Sequence, residues 1–347
     1  CFWYYSLLFF TQNNRGESMS QNQDGHSGTE YCLPDLRVLQ LKCHLQAREP
    51  AKLSLFKGSM LRGALGHALR RTVCVQRQQQ ECEPCMLRPQ CVYTRVFETY
   101  IEKEPPQFLR GLPTPPRPYI IDCNDVSRDF AAGDMLEFDM TLVGSAAQYY
   151  PYVLFAIDKA AQNGLGKNRS RFKLSVAAWC KNQNGSSEWR RLYDGDSAAL
   201  VDRAQLQQVI QSPPLSSPLT LRFVTPTRIK IDNHLTMEFT FRQLAFHMLR
   251  RVLELAWFYQ EDAGVDWYFQ PLLQQADRVR IREKALTWVE QQRHSNRQQS
   301  NMKLGGFIGT LQLRGDLKPF SRLFTLAQSV HVGKGAVFGL GKIDFDP

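Results

Sequence analysis

The sequence contains no apolar run long enough to cross a membrane and no secretory signal. Its first ten residues, Cys1 to Phe10, are strongly apolar, but a membrane-spanning helix needs about 20 such residues. The segment also has neither the basic start nor the small-residue cleavage site of a signal peptide. Because Met19 opens a polar run, we expect residues 1–18 to be an extension upstream of the natural start. Residues 1–35 are predicted to be disordered or non-native.

Two familiar nucleotide-binding motifs are absent, although the end of the chain is rich in glycine. A dinucleotide fingerprint has two residues between its second and third glycines, and a helix follows it. Here three residues separate Gly335 from Gly339, and the sequence stops at Pro347. A Walker loop needs serine or threonine after glycine and lysine, whereas Gly335 follows Lys334.

Cysteine is unevenly distributed. Four of the nine cysteines fall in one short segment with the spacing C-x7-C-x2-C-x5-C, at Cys74, Cys82, Cys85 and Cys91. An odd number clustered in this way favours a reducing compartment, the cytoplasm, over a disulfide scaffold. The tight C-x2-C pair predicts a structural metal site that holds zinc or an iron–sulfur cluster. The alternative interpretation is four free thiols in a loop, because the spacings from Cys74 to Cys82 and from Cys85 to Cys91 are not those of a standard zinc ribbon.

Positive charge is in excess. Lysine and arginine outnumber aspartate and glutamate 43 to 33, which gives a net charge of +10 and a pI near 9.2. This excess of positive charge favours a polyanionic partner, and it favours nucleic acid over a membrane surface. A basic loop that contains Lys167 and Arg169 either holds phosphates or is simply solvated.

The apolar pattern of residues 36–210 predicts one domain with the order β, α, β, β, α, β. Alternation after Leu36 indicates a half-buried strand, and the spacing of Leu61, Leu65 and Leu69 indicates a helix. Gln148 to Asn163 is a second predicted helix. This order is that of a ferredoxin-like domain, with the Cys-rich segment, residues 74–91, inserted in it.

A Ser/Pro-rich linker is predicted at residues 211–218, and residues 219–347 repeat the pattern. The predicted elements are a strand from Leu219, a helix over Phe239 to Glu261, a helical, charged segment to about Gln292, a strand near Phe307 to Leu313, a helix over Lys318 to Val330, and a last strand. The sequence therefore predicts an α+β fold of two tandem ferredoxin-like, RRM-like domains, the second with an inserted helix.

The glycine-rich tail is the first candidate site. Its glycines and lysines can present backbone N–H groups and positive charge to a phosphate, and an aromatic residue there can stack on a base. The alternative interpretation is a glycine-rich hairpin that reverses the chain direction and binds no ligand. The candidate residues are Gly333, Lys334, Gly335, Phe338, Gly339, Gly341 and Lys342.

His67 is the second candidate, on the predicted first helix and among arginines. Imidazole takes up a proton near neutral pH and suits general base catalysis. A histidine that plays no part in the chemistry is the alternative.

Several segments, taken together and in order from Leu36 to Phe345, resemble the CRISPR-associated repeat-RNA endoribonuclease family of the RAMP superfamily. They are F-K-G-S-M-L-R-G-A-L-G-H-A-L-R-R, the C-x-x-C insert, F-V-T-P-T-R, H-S-N-R-Q, G-G-F-I-G and H-V-G-K-G-A-V-F-G-L-G-K-I. The resemblance implies two ferredoxin-like domains that hold RNA, with the glycine loop gripping it. It also implies cleavage of precursor CRISPR RNA within each repeat.

The resemblance further implies a reaction in which the RNA's own 2′-OH attacks the neighbouring phosphate. The products are a 2′,3′-cyclic phosphate and a 5′-OH, and no step requires a divalent metal, in keeping with the absence of clustered carboxylates. His67 occupies the place of the family's usual base. Arg62, Lys57 or Arg70 would stabilise the negative charge that the phosphate gains. His331 is the alternative to His67 as the catalytic base. Arg297 would contact RNA.

Three functions remain open from the sequence. The first is the nuclease, which needs no cofactor for catalysis and has CRISPR repeat RNA and proteins of a CRISPR effector complex as expected partners. The second is a non-catalytic RNA-binding subunit of such a complex. The third is a zinc-stapled protein that binds an unrelated RNA.

Overall fold

The computed structural model describes residues 31–346, except 79–80, 101–102, 105–114, 184–185, 210–213, 291 and 296–299. The strands are β1 Arg37–Ala47, β2 Ala51–Lys52, β3 Tyr119–Asp122, β4 Asp129–Phe130, β5 Met135–Val143, β6 Phe172–Gln183, β7 Ser186–Asp194, β8 Ala199–Leu200, β9 Gln207–Gln208, β10 Leu219–Thr227, β11 Ile229–Ile231, β12 His234–Thr236, β13 Arg280–Val289, β14 Gln292–Ser295, β15 Ser300–Lys303, β16 Gly306–Arg314 and β17 Ile343–Phe345. The α-helices are α1 Gly58–Val73, α2 Tyr150–Asn163, α3 Phe241–Tyr259, α4 Gln270–Ala276 and α5 Ser321–Val330. Of the helices in these ranges, none has the length and apolar character that a bilayer crossing demands.

The first sheet is antiparallel, with the strand order β3-β5-β1-β6-β7-β8. Its first four strands, together with α1 and α2, give the β, α, β, β, α, β order that the sequence predicts. Alternate residues of β1 are buried because they face the two helices, and Leu41 pairs with Met140 of β5 in this register. The Cys-rich segment leaves the end of α1 and precedes β3. The ferredoxin-like prediction is confirmed for this part of the chain.

The second sheet repeats this arrangement, with the order β13-β16-β10-β17. Helices α3 and α5 pack against each other and bury a second apolar core. Thr240 caps α3, since its side chain accepts from the Gln243 N–H and the Gln243 side chain accepts from the Thr240 N–H. The fold is therefore two ferredoxin-like units. The predicted domain boundaries stay predictions, because residues 211–213 of the proposed linker lie outside the described part.

The charged segment before residue 292 differs from its prediction. It was expected to be helical, yet only α4 is a helix and residues 280–289 form β13. Strand β13 lies at the sheet edge, where β16 supplies its hydrogen bonds and its charged side chains stay exposed. An edge strand of this kind lacks the apolar alternation on which a sequence-based strand prediction depends.

The two units meet along a seam of close backbone contacts. A Cβ built on Gly58 of α1 would lie 2.0 Å from the Phe338 carbonyl oxygen, and one on Gly144 would lie 1.9 Å from that of Tyr259. Glycine is required at both places because any side chain would push the two backbones apart. An ion pair between Lys342 Nζ and Asp122 Oδ2, at 2.6 Å, also crosses the seam.

Candidate active site and nucleic-acid interface

His67 projects from the exposed side of α1. The buried residues of α1, which include Leu61, Leu65 and Leu69, anchor the helix on the core, and His67 lies on the opposite, solvent-facing side. One turn earlier, a Cβ built on Gly63 would meet no atom within 4 Å. Residues four apart are neighbours on a helix surface, so His67 stands beside a bare stretch of backbone. An imidazole in this position is accessible from solvent.

Two arginines flank His67 on the same part of α1. Arg71 is exposed and lies one turn after His67, and Arg70 has its guanidinium 5.8 Å from the centre of the Tyr93 ring. Arg70 was a candidate for stabilising the phosphorane, whereas Arg71 was not predicted as a site residue. The i, i+4 spacing from His67 is the sequence signal that identifies Arg71.

Arg62 does not join this group. It is five residues from His67, so the two side chains leave the helix about 140° apart. Its Nε donates to the Tyr119 hydroxyl at 3.1 Å. The guanidinium lies 4.5 Å from the ring centre of Phe97 and 5.4 Å from that of Phe338. Arg62 thus links α1, β3 and the glycine loop, and its predicted role at the phosphate stays a prediction.

The catalytic role predicted for Lys57 is wrong. Its side chain is fully buried, and Nζ donates to the carbonyl oxygens of Asp125 and Ser127 at 2.7 and 2.6 Å. The Asp125 carboxylate lies 3.8 Å away and balances the charge. Buried ammonium groups are satisfied in this way, and a phosphate has no access to Nζ. Lys57 ties the start of α1 to the segment before β4.

The basic loop that follows α2 lies against the start of α1. Lys167 and Arg169 are exposed there. A Cβ built on Gly166 would lie 3.8 Å from the Met60 sulfur, and Met60, seven residues before His67, shares its helical face. The loop therefore contacts the start of α1, two turns before His67, and the phosphate contacts of Lys167 and Arg169 stay predictions.

The glycine loop turns back on itself at four glycines with positive φ: Gly333, Gly335, Gly339 and Gly341. Much of its backbone hydrogen bonding is internal or with β10. The Gly341 N–H donates to the Pro226 carbonyl and the Val332 N–H to that of Gly341. A Cβ on Gly339 would lie 2.7 Å from the Ile121 carbonyl oxygen. The loop therefore joins the two units, a role that its glycine pattern alone does not indicate.

The side chains of the loop are divided between two surroundings. Phe338 is half-buried against Arg62, and Lys342 is paired with Asp122 across the seam. Lys334, in contrast, is exposed at the other end of the loop. The RNA contacts predicted for the loop stay predictions, and Lys334 is the side chain most accessible to RNA. Arg297 lies outside the described residues.

His331 holds the glycine loop in shape. The residue is 5% exposed, and its Nδ1 lies 3.1 Å from the Leu340 carbonyl oxygen. Burial lowers the pKa of His331 to about 4; the nearby Asp122 opposes this effect, and Arg251 and Lys342 add to it. An imidazole with no access to solvent suits a structural role better than proton transfer to RNA.

This burial predicts a loss of stability in acid. The unfolded state takes up a proton on His331 near pH 6.5, but the folded state does so only near pH 4. Stability should therefore fall as pH drops from about 6.5 to about 4, by about 2 kcal/mol at pH 5 for this residue. Urea unfolding at pH 7.5 and pH 5 measures the effect. The variant His331→Asn, which does not titrate, should lose less stability between the two pH values; an equal loss would contradict the assignment.

The four cysteines of the insert are free and partly exposed. The Cys85 N–H donates to the Cys82 carbonyl at 3.2 Å, so the C-x2-C pair forms a tight turn. Burial raises the pKa of Cys82, and Cys91 and Cys74 are close enough to contribute. Within the described ranges, however, no three His, Cys, Asp or Glu side chains are placed to hold one metal ion. The zinc or iron–sulfur site stays a prediction from the spacing.

Comparison with known proteins finds family models that match two parts of the chain. Residues 221–343 match the family model of the CRISPR-associated endoribonuclease Cas6, and residues 36–208 match a model described as an N-terminal domain. The C-terminal part of the chain is similar to the CRISPR-associated endoribonuclease Cas6, the family that the motifs of the sequence resemble.

Solved structures share the fold over most of the chain. A Cas6 product complex is 14% identical with a TM-score of 0.52, and covers 89% of this chain and 99% of its own. Thermus thermophilus Cas6 is 14% identical with a TM-score of 0.50 and coverages of 90% and 99%. A partial Cas6-RT-Cas1–Cas2 complex is 16% identical with a TM-score of 0.50 and coverages of 90% and 47%. No curated protein matches the sequence.

Proposed function

We propose that this protein cleaves precursor CRISPR RNA within its repeats, by attack of a 2′-OH on the adjacent phosphate. The family match over residues 221–343 supports the substrate class. The observation that carries the reaction is the position of His67, exposed on α1 beside the bare backbone of Gly63. A ribose can approach this surface closely, and His67 would take the proton of the attacking hydroxyl.

The arginines of the same face would supply positive charge. During in-line attack the phosphate gains negative charge, and a cation that is already in place lowers the barrier. Arg71 and Arg70 lie about one turn after His67, and the exposed Lys167 and Arg169, whose loop contacts the start of α1, would extend the basic surface. This group replaces Lys57 in the proposed mechanism. As the bond from phosphorus to the 2′ oxygen forms, the bond to the 5′ oxygen breaks, and the leaving 5′ oxygen takes up a proton from solvent. The products are a 2′,3′-cyclic phosphate and a 5′-OH, and no divalent metal enters the proposed reaction.

One of the similar solved structures supports a proposal about protein partners. That neighbour is a Cas6-RT-Cas1–Cas2 complex, and we propose that this chain also associates with CRISPR proteins after or during RNA processing. The structure describes no such contact surface, so the proposal names the class of partner alone.

Incubation of the purified protein with repeat RNA in EDTA tests the function. We expect one discrete cut, with a cyclic phosphate on the upstream product, and no cut in an arbitrary hairpin of equal length. Specific binding of repeat RNA without cleavage would replace the nuclease with a non-catalytic RNA-binding subunit. Equal binding of both RNAs would indicate an unrelated RNA ligand.

A further inference from the structure

A short helical turn that follows the Cys-rich insert packs beneath α1. Residues Thr94–Glu98 form this turn, and the Thr94 hydroxyl ties it to the insert by donating to the Cys91 carbonyl oxygen at 2.9 Å. Phe97 lies directly against α1, because a Cβ on Gly66, the residue before the proposed base, would lie 2.2 Å from Phe97 Cζ. Glycine at this position lets the turn approach the part of α1 that carries the proposed base.

Tyr93 and Glu98, at either end of this turn, connect it with Arg70. The Arg70 guanidinium is 5.8 Å from the centre of the Tyr93 ring, which is within the range of a cation–π attraction. The Tyr93 hydroxyl donates to Glu98 Oε1 at 3.0 Å. The ring therefore lies beneath the guanidinium, and the carboxylate fixes the hydroxyl of that ring.

The Glu98 carboxylate also acts near Arg70. Burial is the main reason why the pKa of Tyr93 is raised, Glu98 raises it further, and Arg70 lowers it. Burial also raises the pKa of Cys82, where Arg70 opposes the effect and Glu98 adds to it. The carboxylate and the guanidinium thus lie within electrostatic reach of the same two groups. Opposite charges at close range attract each other, so Glu98 helps to keep Arg70 over the ring, and we call Tyr93 and Glu98 the arginine holder.

Arg70 differs in this respect from Arg71, the other arginine beside His67. Arg71 is exposed, whereas Arg70 is half-buried over the Tyr93 ring. Residues three and four positions after His67 lie on either side of it on the helix surface. A cation with a fixed position stabilises developing charge without reorganising during the reaction, whereas a mobile side chain must first lose rotamer freedom. Arg70 is therefore the better suited of the two to the phosphate that gains charge.

We propose that Tyr93 and Glu98 are positioning residues that hold the Arg70 guanidinium beside His67 before the RNA binds. They act through Arg70 and need no contact with the RNA. The Cys-rich insert thereby contributes to the cleavage rate, because the turn that it precedes is docked on α1. This inference rests on the proposed function, since it assigns Arg70 a part in the same reaction.

The test is single-turnover cleavage of repeat RNA by the full chain that carries Glu98→Gln. Glutamine keeps the shape of glutamate and can still accept from the Tyr93 hydroxyl, but it lacks the charge that attracts Arg70. Cleavage should slow about tenfold, less than the hundredfold or more that loss of a charge-stabilising donor itself costs. Tyr93→Phe removes the hydrogen bond to Glu98 and should slow cleavage in the same direction. It provides the measurement if Glu98→Gln does not fold.

The matched control is Glu83→Gln. Glu83 is exposed in the same insert, so its replacement makes the same change in net charge, and the cleavage rate should equal that of the unaltered protein. RNA affinity should be the same for the two glutamate variants. A double-mutant cycle then separates positioning from a general loss of structure. In an Arg70→Gln background, where the held guanidinium is absent, Glu98→Gln should cause no further loss of rate.

The outcomes separate the arginine holder from the proposed function. Equal cleavage rates for Glu98→Gln and Glu83→Gln would overturn the holder while the proposed function stood. A full further loss in the Arg70→Gln background would also overturn it, because Glu98 would then act other than through Arg70. Absence of cleavage by the unaltered protein would overturn both. A loss seen with the holder variants, and absent once Arg70 is replaced, would support the holder.

Discussion

His67→Ala should abolish most cleavage of repeat RNA and leave RNA binding unchanged. A positioned general base contributes about a hundredfold to ten-thousandfold to such a reaction, so single-turnover cleavage should slow by a factor in that range. The side chain is exposed on α1, and alanine favours helices more than histidine does. The variant is therefore expected to fold, and the loss should appear in the cleavage rate alone.

A second exposed histidine provides the matched control. His234 lies on β12, where its Nδ1 is 2.8 Å from the Asp232 carbonyl oxygen. His234→Ala removes the same imidazole from a surface with no proposed part in the chemistry, so its cleavage rate should equal that of the unaltered protein. Similar rates for the two variants, both near that of the unaltered protein, would remove His67 from the mechanism.

Gly58→Ala should destabilise the protein strongly, by about 3 kcal/mol. The added Cβ would lie 2.0 Å from the Phe338 carbonyl oxygen and 2.8 Å from its carbon. Both atoms are backbone, so relief requires the glycine loop to move away from α1. Because the loop carries Phe338 and Lys342 across the seam, the change should also weaken the contact between the two units. Thermal unfolding measures the loss.

Gly63→Ala is the comparison variant on the same helix. A Cβ at Gly63 meets no atom within 4 Å, and alanine in a helix is about 1 kcal/mol more favourable than glycine. This variant should unfold at an equal or higher temperature than the unaltered protein. If Gly58→Ala proved as stable as Gly63→Ala, the glycine seam would not be a constraint on the fold.

The order of the elements was predictable because buried faces leave a period in the sequence. The alternation along β1 and the spacing of Leu61, Leu65 and Leu69 in α1 both reflect one side packed on a core. Strand β13 has no such period, since it lies at a sheet edge with its charged side chains in solvent. Its identity as a strand depends on pairing with β16, a contact that local sequence does not specify.

The site was predictable in part. His67 and the basic loop with Lys167 emerged from residue type and position, and the structure leaves both side chains exposed on the first unit. Lys57 was misassigned because burial depends on segments far away in the chain, at Asp125 and Ser127. The glycine loop looked like a phosphate cradle, but the approach of Phe338 to Gly58 comes from the docking of two units.

The most direct test of the central claim is cleavage of repeat RNA that carries a single 2′-deoxy nucleotide on the 5′ side of the cut. If the RNA supplies the nucleophile, this substrate should bind with unchanged affinity and remain uncut in a reaction where all-ribose RNA is fully cleaved. Cleavage of the deoxy substrate at the same phosphate would show that a different nucleophile acts, and it would contradict the proposed mechanism.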